Sequence, residues 1–363
     1  PDSILAITFT NKAAGEMKDR VFKMLSGDGL SSPWISTFHS FCLRLLRKHI
    51  NELDYSREFV IYDSSDQLSL LKQCMRSIDI EAEAFPPKKL LNHISGFKND
   101  FIFPADIDLD SLPFGTKMKA AEVYPLYQHN LKISNALDFD DLLIMTVRLL
   151  KESESILERY SNQFNQILID EFQDTDPVQY DIFRKIYHGS DCPVFLVGDP
   201  KQAIYSFRGA DVFTYLYARQ DATKQFSLDQ NWRSVPQLVH AVNLLFERRA
   251  DLPAFLLNEI EFSPAQPAPT QLPELTESGL AAPALTIWPL SREDDDNKPI
   301  AKHRASSLCV AATTTEITRL LALPAKIGEE PLHRSDIAVL VRTHSQARIV
   351  ETAMREAGIA SVR

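Results

Sequence analysis

Apolar residues along this chain follow two rhythms. Short, mostly apolar runs stand at 4–8, 34–37, 167–169 and 194–197, rich in Ile, Leu and Val and too short for helices. Such runs read as strands of a buried parallel sheet. Elsewhere apolar positions recur every three or four residues, over 12–25, 39–49, 66–78, 88–97, 117–135, 140–151 and 235–249. That spacing lines one face of an amphipathic helix.

The order of the two rhythms divides the chain. Residues 1–50 and 161–234 alternate strand with helix, which predicts an α/β fold whose single parallel sheet is built from two separated stretches. Residues 51–160 carry helical periodicity with few β-branched runs and read as an all-helical insertion. Residues 263–300 hold Pro264, Pro267, Pro269, Pro273, Pro283 and Pro289, then an acidic run at 293–296. Such a composition buries little and predicts a linker. Residues 235–262 and 301–363 read as the beginning of a second α/β domain, with a strand at 337–341 and a last helix at 345–356.

Chemistry-bearing residues sit at the ends of the strands. The run at 167–169 leads straight into Asp170-Glu171. Open parallel sheets place ligands at the carboxyl ends of their strands. There Asp170 suits a magnesium ligand, and Glu171 suits a base that takes the proton of an attacking water. The run at 194–197 leads into Gly198-Asp199-Pro200, and Gln202 follows, placed to reach a terminal phosphate. Tyr205 and Phe207, beside Arg208, suit stacking on bases and holding a backbone. In the segment Asn231-Trp232-Arg233-Ser234 the indole suits a flat base, and the guanidinium meets phosphate charge as a planar fork. The acids of Asp138-Phe139-Asp140-Asp141 tempt a metal-site reading. They precede Leu142 and Leu143 of a helix, however, and read better as its N-terminal cap.

These three strand-end segments, in this order and spacing, resemble the superfamily 1 DNA helicases of the UvrD/Rep/PcrA/RecB type. Two earlier segments agree. Ile-Leu-Ala-Ile-Thr-Phe-Thr-Asn-Lys-Ala-Ala-Gly-Glu-Met at 4–17 and Ser-Thr-Phe-His-Ser-Phe at 36–41 are similar to that family's first single-strand contact motifs. Up to about residue 160 the likeness is to UvrD, Rep and PcrA. From about residue 164 it is nearer to RecB, the motor-nuclease subunit of exodeoxyribonuclease V. The resemblance implies a RecA-like P-loop NTPase motor domain, the start of a second RecA-like domain, and ATP and Mg²⁺ as cofactors. It implies single-stranded and partly duplex DNA as the partner, with 3′→5′ movement. Residue by residue, it implies Asp170 as the magnesium ligand, Glu171 as the water-activating base and Gln202 as the γ-phosphate sensor. It further implies Arg233 as an arginine finger and Trp232 as the adenine stack. Thr8, Phe9, Asn11, Thr37, His39, Tyr205, Phe207 and Arg208 would line the single-strand path.

A nucleotide motor also needs a phosphate-cradling loop, G-x-x-x-x-G-K-[ST]. None of the 11 glycines is followed by lysine. The resembled family places that loop just ahead of the segment that opens this chain and places further motifs after its last residues. The expectation is therefore an internal piece of a longer enzyme, one that alone binds ATP poorly and turns it over near background. Two other readings stay open: a subunit of a RecB-type helicase-nuclease complex, and a non-catalytic DNA-binding relative without the loop.

Composition narrows the classes. A net charge of −10 argues against a simple basic DNA-coating protein. It leaves room for a track that needs only local positive charge and aromatics. Cys42, Cys74, Cys192 and Cys309 are far apart without a C-x-x-C, so they read as reduced thiols rather than a disulfide framework or a zinc site. No apolar run approaches 18 residues, so no membrane partner is expected. A cytoplasmic location is the default.

Overall fold

All four apolar runs of the first 200 residues pair as strands of one sheet. β1 (Ile4–Thr8) is followed by α1 (Asn11–Leu25), β2 (Trp34–Thr37) and α2 (Phe38–His49). The helical stretch comprises β3 (Val60–Ile61), α3 (Ser64–Ser77), α4 (Pro87–Asn99), α5 (Thr116–Ile133), β4 (Ala136–Leu137), α6 (Phe139–Glu152) and α7 (Glu154–Ser161). The chain then returns to β5 (Gln166–Ile169), α8 (Pro177–Tyr187), β6 (Val194–Leu196) and α9 (Val212–Asp221). The computed structural model describes residues 3–25, 32–188, 190–204, 211–247, 253–270, 272–290 and 300–362. It divides into two units, Pro1–Gln225 and Phe226–Arg363.

In the first unit the strand order is β2-β1-β5-β6, with every pair parallel. The central neighbours β1 and β5 thus lie more than a hundred residues apart in the chain. The register sets Thr8 beside Thr37 and Ile7 beside Ile169, so the carboxyl ends of three strands form one row. Side-chain alternation places the core. Leu5, Ile7, Ile167 and Ile169 are fully buried against α2, α6 and α8, among Phe41, Leu45 and Phe183. Each such side chain contributes about 1.5–3 kcal/mol of burial. On the other face Ala6 and Ile35 pack beneath α1 through Ala14, Met17 and Val21.

A second core joins α3, α4 and α5 through Leu71, Cys74, Leu90, Tyr124 and Tyr127. At the seam between the two cores lies a buried ionic cluster. Asp138 caps α6, accepting from the Asp141 N–H at 2.9 Å, while Asp141 accepts from the Asp138 N–H at 3.1 Å. The fully buried Lys98 Nζ donates to both carboxylates, at 2.7 and 2.8 Å. Tyr127 donates to Asp138 and Gln128 to Asp141. The capping role expected of these acids is present, and a lysine occupies the place between them that a metal would take.

The second unit departs from the sequence reading. It comprises β7 (Gln230–Asn231), α10 (Pro236–Glu247), β8 (Gln266–Pro267), β9 (Leu275–Glu277), β10 (Leu280–Ala281), α11 (Lys302–Ala322), β11 (Ala325–Ile327), β12 (Glu330–Pro331) and α12 (His344–Glu356). Its four-stranded sheet, ordered β10-β9-β11-β12, is antiparallel throughout. β8, β9 and β10 come from the proline-rich stretch expected as a linker. Ser278 and Gly279 both have positive φ, 50° and 82°, the two-residue turn that closes a hairpin. Pro331 lies on an outermost strand, where a missing N–H is tolerated. The strand expected at 337–341 pairs with nothing among the described residues, and Leu340 there is 95 % exposed. An apolar run becomes a strand only where an open edge accepts its hydrogen bonds.

Candidate functional site

The row of strand ends brings most of the expected residues of the first unit together. β5 is registered by the Asp170 N–H donating to the Ile7 carbonyl at 2.8 Å. The chain then turns sharply at Glu171, whose φ of 54° and ψ of 36° lie in the left-handed region. A non-glycine residue held there is strained, and such strain concentrates where geometry serves function. The turn swings the Glu171 carboxylate back over β1, where Oε2 accepts from Thr8 Oγ1 at 3.2 Å. Asp170 Oδ1 accepts from the Glu171 N–H at 2.9 Å. Among the described residues its Oδ2 has no partner, and no cation lies within salt-bridge distance of either acid.

A second connection runs from β5 to the loop after β6. Phe172 N–H donates to the Val197 carbonyl, and Gln173 Oε1 accepts from the Asp199 N–H at 3.1 Å. The approach is close enough to require glycine. A Cβ on Gly198 would sit 2.8 Å from Gln173 Oε1 and 3.0 Å from the Gln173 nitrogen. Asp199 in turn holds Lys201 at 2.8 Å and accepts from Gln202 Nε2 at 3.2 Å. Burial works to raise the Asp199 pKa, but the hydrogen bonds from Lys201 and Gln202 outweigh it and leave the carboxyl below its ordinary value. Burial, then the neighbouring Glu171 charge, pushes Asp174 up, and its Oδ1 is buried without a partner among the described residues.

The expected strand-contact residues sit on the same row. Thr8 is fully buried, with its hydroxyl turned to Glu171; Phe9 is half-buried just beyond it, and Asn11 is exposed at the first position of α1. Thr37 caps α2, accepting from the Ser40 N–H and donating to Ser40 Oγ at 2.9 Å. His39 meets Phe139 edge-on, with ring centres 6.3 Å apart, and burial lowers its pKa, favouring the neutral ring. Tyr205, Phe207 and Arg208 lie outside the described residues. In the second unit Asn231 Oδ1 accepts from the Arg233 and Ser234 N–H groups, both at 2.9 Å. That turn leaves Trp232 60 % exposed and Arg233 exposed beside it.

Sequence reasoning passed over Gln173 and Gly198, which join the two strand ends. The available signal was a Gln two residues after the acidic pair and a Gly directly after the next strand. Among the described residues no three His, Cys, Asp or Glu side chains converge as a self-contained metal cage. The oxygens that are present fit a different kind of site. The free oxygen on Asp170 is a hard donor, and magnesium takes one or two carboxylates and completes its shell with phosphates and water.

A family model described as the UvrD/REP helicase N-terminal domain matches residues 1–223, continuing through residue 164, where the likeness to RecB was expected to begin. Among similar proteins, the ATP-dependent DNA helicase PcrA of Staphylococcus aureus is 38 % identical over 253 residues, 69 % of this chain and 34 % of that relative. The protein of the same name from Staphylococcus epidermidis is 39 % identical over 253 residues. The match thus spans about a third of the length of these relatives. No helix among the described residues is long and apolar enough to cross a membrane.

Proposed function

The chain belongs to the UvrD/REP helicase N-terminal domain family, and on that footing we propose that it carries the hydrolytic and strand-gripping face of an ATP-dependent DNA translocase. In the whole protein that face moves along single-stranded DNA, 3′→5′, and separates duplex in repair or recombination. One observation carries the reading. Among the described residues the two acids at the end of β5 are free of cations and wired in two directions, to β1 through Thr8 and to the loop after β6 through Gln173.

When bound, MgATP supplies the anhydride bond to be broken and the cation that neutralises its oxygens. Asp170 offers its free oxygen to that cation. Glu171, aimed by the left-handed turn and by the Thr8 hydroxyl, takes the proton of the attacking water. Gln202 and Asp199 set the position of the γ-phosphate loop, which Gln173 ties to the backbone of the acids. Arg233 serves as the arginine finger and Trp232 as the base stack, presented outward by the Asn231 turn. Phe9, Asn11, Thr37 and His39 grip the strand, and Tyr205, Phe207 and Arg208 extend the path by their place in the sequence. Thr8 touches the base and directly precedes Phe9, so a change at Glu171 reaches the strand-contact segment through one residue. Motion then follows from a different grip on DNA in the two nucleotide states.

These 363 residues hold no Gly-Lys pair, so the phosphate-cradling lysine of the motor comes from outside them, and the chain alone turns over ATP near background. The same absence favours a second reading, a DNA-binding relative that does not hydrolyse ATP. DNA-stimulated ATPase activity of the full-length protein separates the two. Turnover that rises with single strands and disappears in Glu171→Gln supports the motor; DNA binding with no turnover above that variant leaves the binding reading standing. Membership of a helicase-nuclease complex would show as cleavage of the added DNA, read on a gel beside the turnover measurement.

A further inference from the structure

Directly after Glu171 the chain makes a single 3₁₀ turn, Phe172–Asp174, and this turn touches three parts of the site. Its backbone meets the acidic pair, the Asp174 N–H donating to the Glu171 carbonyl at 2.9 Å. Its aromatic ring reaches α9, the helix that follows Tyr205, Phe207 and Arg208 in the chain. Phe172 and Tyr215 have ring centres 6.2 Å apart, and the Thr175 carbonyl accepts from the Asp211 N–H at 3.4 Å. Its middle side chain, Gln173, reaches the loop after β6.

Gln173 is 7 % exposed and Asp174 3 % exposed, so both find their partners within the protein. A carboxamide has one accepting end and one donating end. The accepting end of Gln173, Oε1, takes the Asp199 N–H, and the donating end, Nε2, gives to Asp174 Oδ2 at 3.2 Å. Turned over, the same amide would set its oxygen against a carboxylate and its NH₂ against an N–H, two unfavourable contacts at once. The carboxylate therefore fixes which end of Gln173 meets the loop that carries Asp199 and Gln202. The other oxygen of Asp174, Oδ1, is buried with no partner among the described residues. Burying an acceptor that binds nothing costs stability. What the chain obtains for that cost is the one bond to Gln173.

We infer that Asp174 is a positioning residue for ATP turnover, holding the Gln173 amide, and through it the loop of Asp199 and Gln202, in register with the acids at the end of β5. The inference rests on the DNA-translocase reading. Asp174 acts only through Gln173. An uncharged oxygen acceptor in its place should therefore serve nearly as well, and once Gln173 is gone its identity should cease to matter.

The test is a double-mutant cycle in the full-length protein, read in DNA-stimulated ATP turnover. Asp174→Leu roughly keeps the volume and removes the acceptor. It should lower kcat by about 10–10²-fold, the scale set by a misplaced group. KM for ATP should stay within about twofold, since contacts made only in the transition state act on kcat. Asp174→Asn, which still offers an oxygen to Nε2, should restore most of the turnover. Gln173→Leu should match Asp174→Leu, and the double variant should be no slower than either. Amide hydrogen exchange adds a readout independent of turnover: the Asp199 N–H should exchange about 2–10-fold faster in Asp174→Leu, as loss of one modest hydrogen bond predicts, with the thermal transition still cooperative. Wild-type kcat in Asp174→Leu or in Gln173→Leu, losses that multiply in the double variant, or an unchanged Asp199 exchange rate overturn the positioning role and leave the translocase reading intact. So does an Asp174→Asn variant as slow as Asp174→Leu, which would make the charge itself the active feature. Wild-type turnover no higher than that of Glu171→Gln overturns both.

Discussion

Two acidic clusters of the first unit, Asp138–Asp141 and Asp170–Glu171, each follow a short strand and differ completely in surroundings. Both stand at the junction of a strand and a helical turn. At the first, Lys98, Tyr127 and Gln128 converge on the carboxylates, which also cap α6. At the second, the acids keep one hydroxyl and one backbone N–H between them, with no cation near among the described residues. Carboxylates whose lone pairs are satisfied hold helices together. Carboxylates whose lone pairs are left open can hold a cation or take a proton. The difference separates architecture from chemistry.

The largest expected effect falls on the open pair. In the full-length protein, Glu171→Gln should lower DNA-stimulated turnover by about 10²–10⁴-fold, as loss of a general base does, with DNA affinity retained. A fall of less than tenfold would mean the open pair is not the base. The closed pair should answer in stability instead. Lys98→Met leaves two buried carboxylates facing each other and should cost about 3–5 kcal/mol in urea unfolding. Adding Asp141→Asn to that variant should recover part of the loss; no recovery would break the comparison.

The bridge beside the open pair should respond next. Gly198→Ala forces a methyl against Gln173 and should cost about 1–3 kcal/mol. In full-length protein it should slow turnover more than it weakens DNA binding. A change in stability alone would make the bridge structural.

The smallest effect concerns protons. Burial pushes Asp176, the cap of α8, up to about 7, and burial with the neighbouring Asp138 charge pushes Asp141 upward as well. An ordinary aspartate titrates near 3.9. Between those values the folded chain holds protons that the unfolded chain releases. The stability from this source is complete below about 4 and is lost as pH rises through about 7. The thermal midpoint should therefore fall between pH 5 and 8, and Asp176→Asn should make that fall shallower without removing the Asp141 share. An unchanged slope would refute the assignment to Asp176.

The rhythm of apolar positions was enough to place β1, β2, β5 and β6 and helices α1 to α6 to within a residue or two, though not α7 or α8, because burial on a sheet or a helix face is a local pattern. It failed at 337–341, where the run is apolar but no edge among the described residues receives it, and in the proline-rich stretch, where Ser278-Gly279 closes a hairpin. The strand-end acids were legible for the same local reason: a strand that stops at Asp-Glu delivers both to its carboxyl end. Gln173 and Gly198 were not, since their meaning is a contact across two strands.

What the sequence by itself determined was therefore which segments become strands and helices, and that acids stand at the end of one strand. Which acids stay open was decided by the tertiary structure. Lys98 comes to Asp138 from 40 residues away, and Thr8 comes to Glu171 from 163. Neither distance leaves a periodic trace in the chain, because a charge is quenched or spared only by what packing brings beside it.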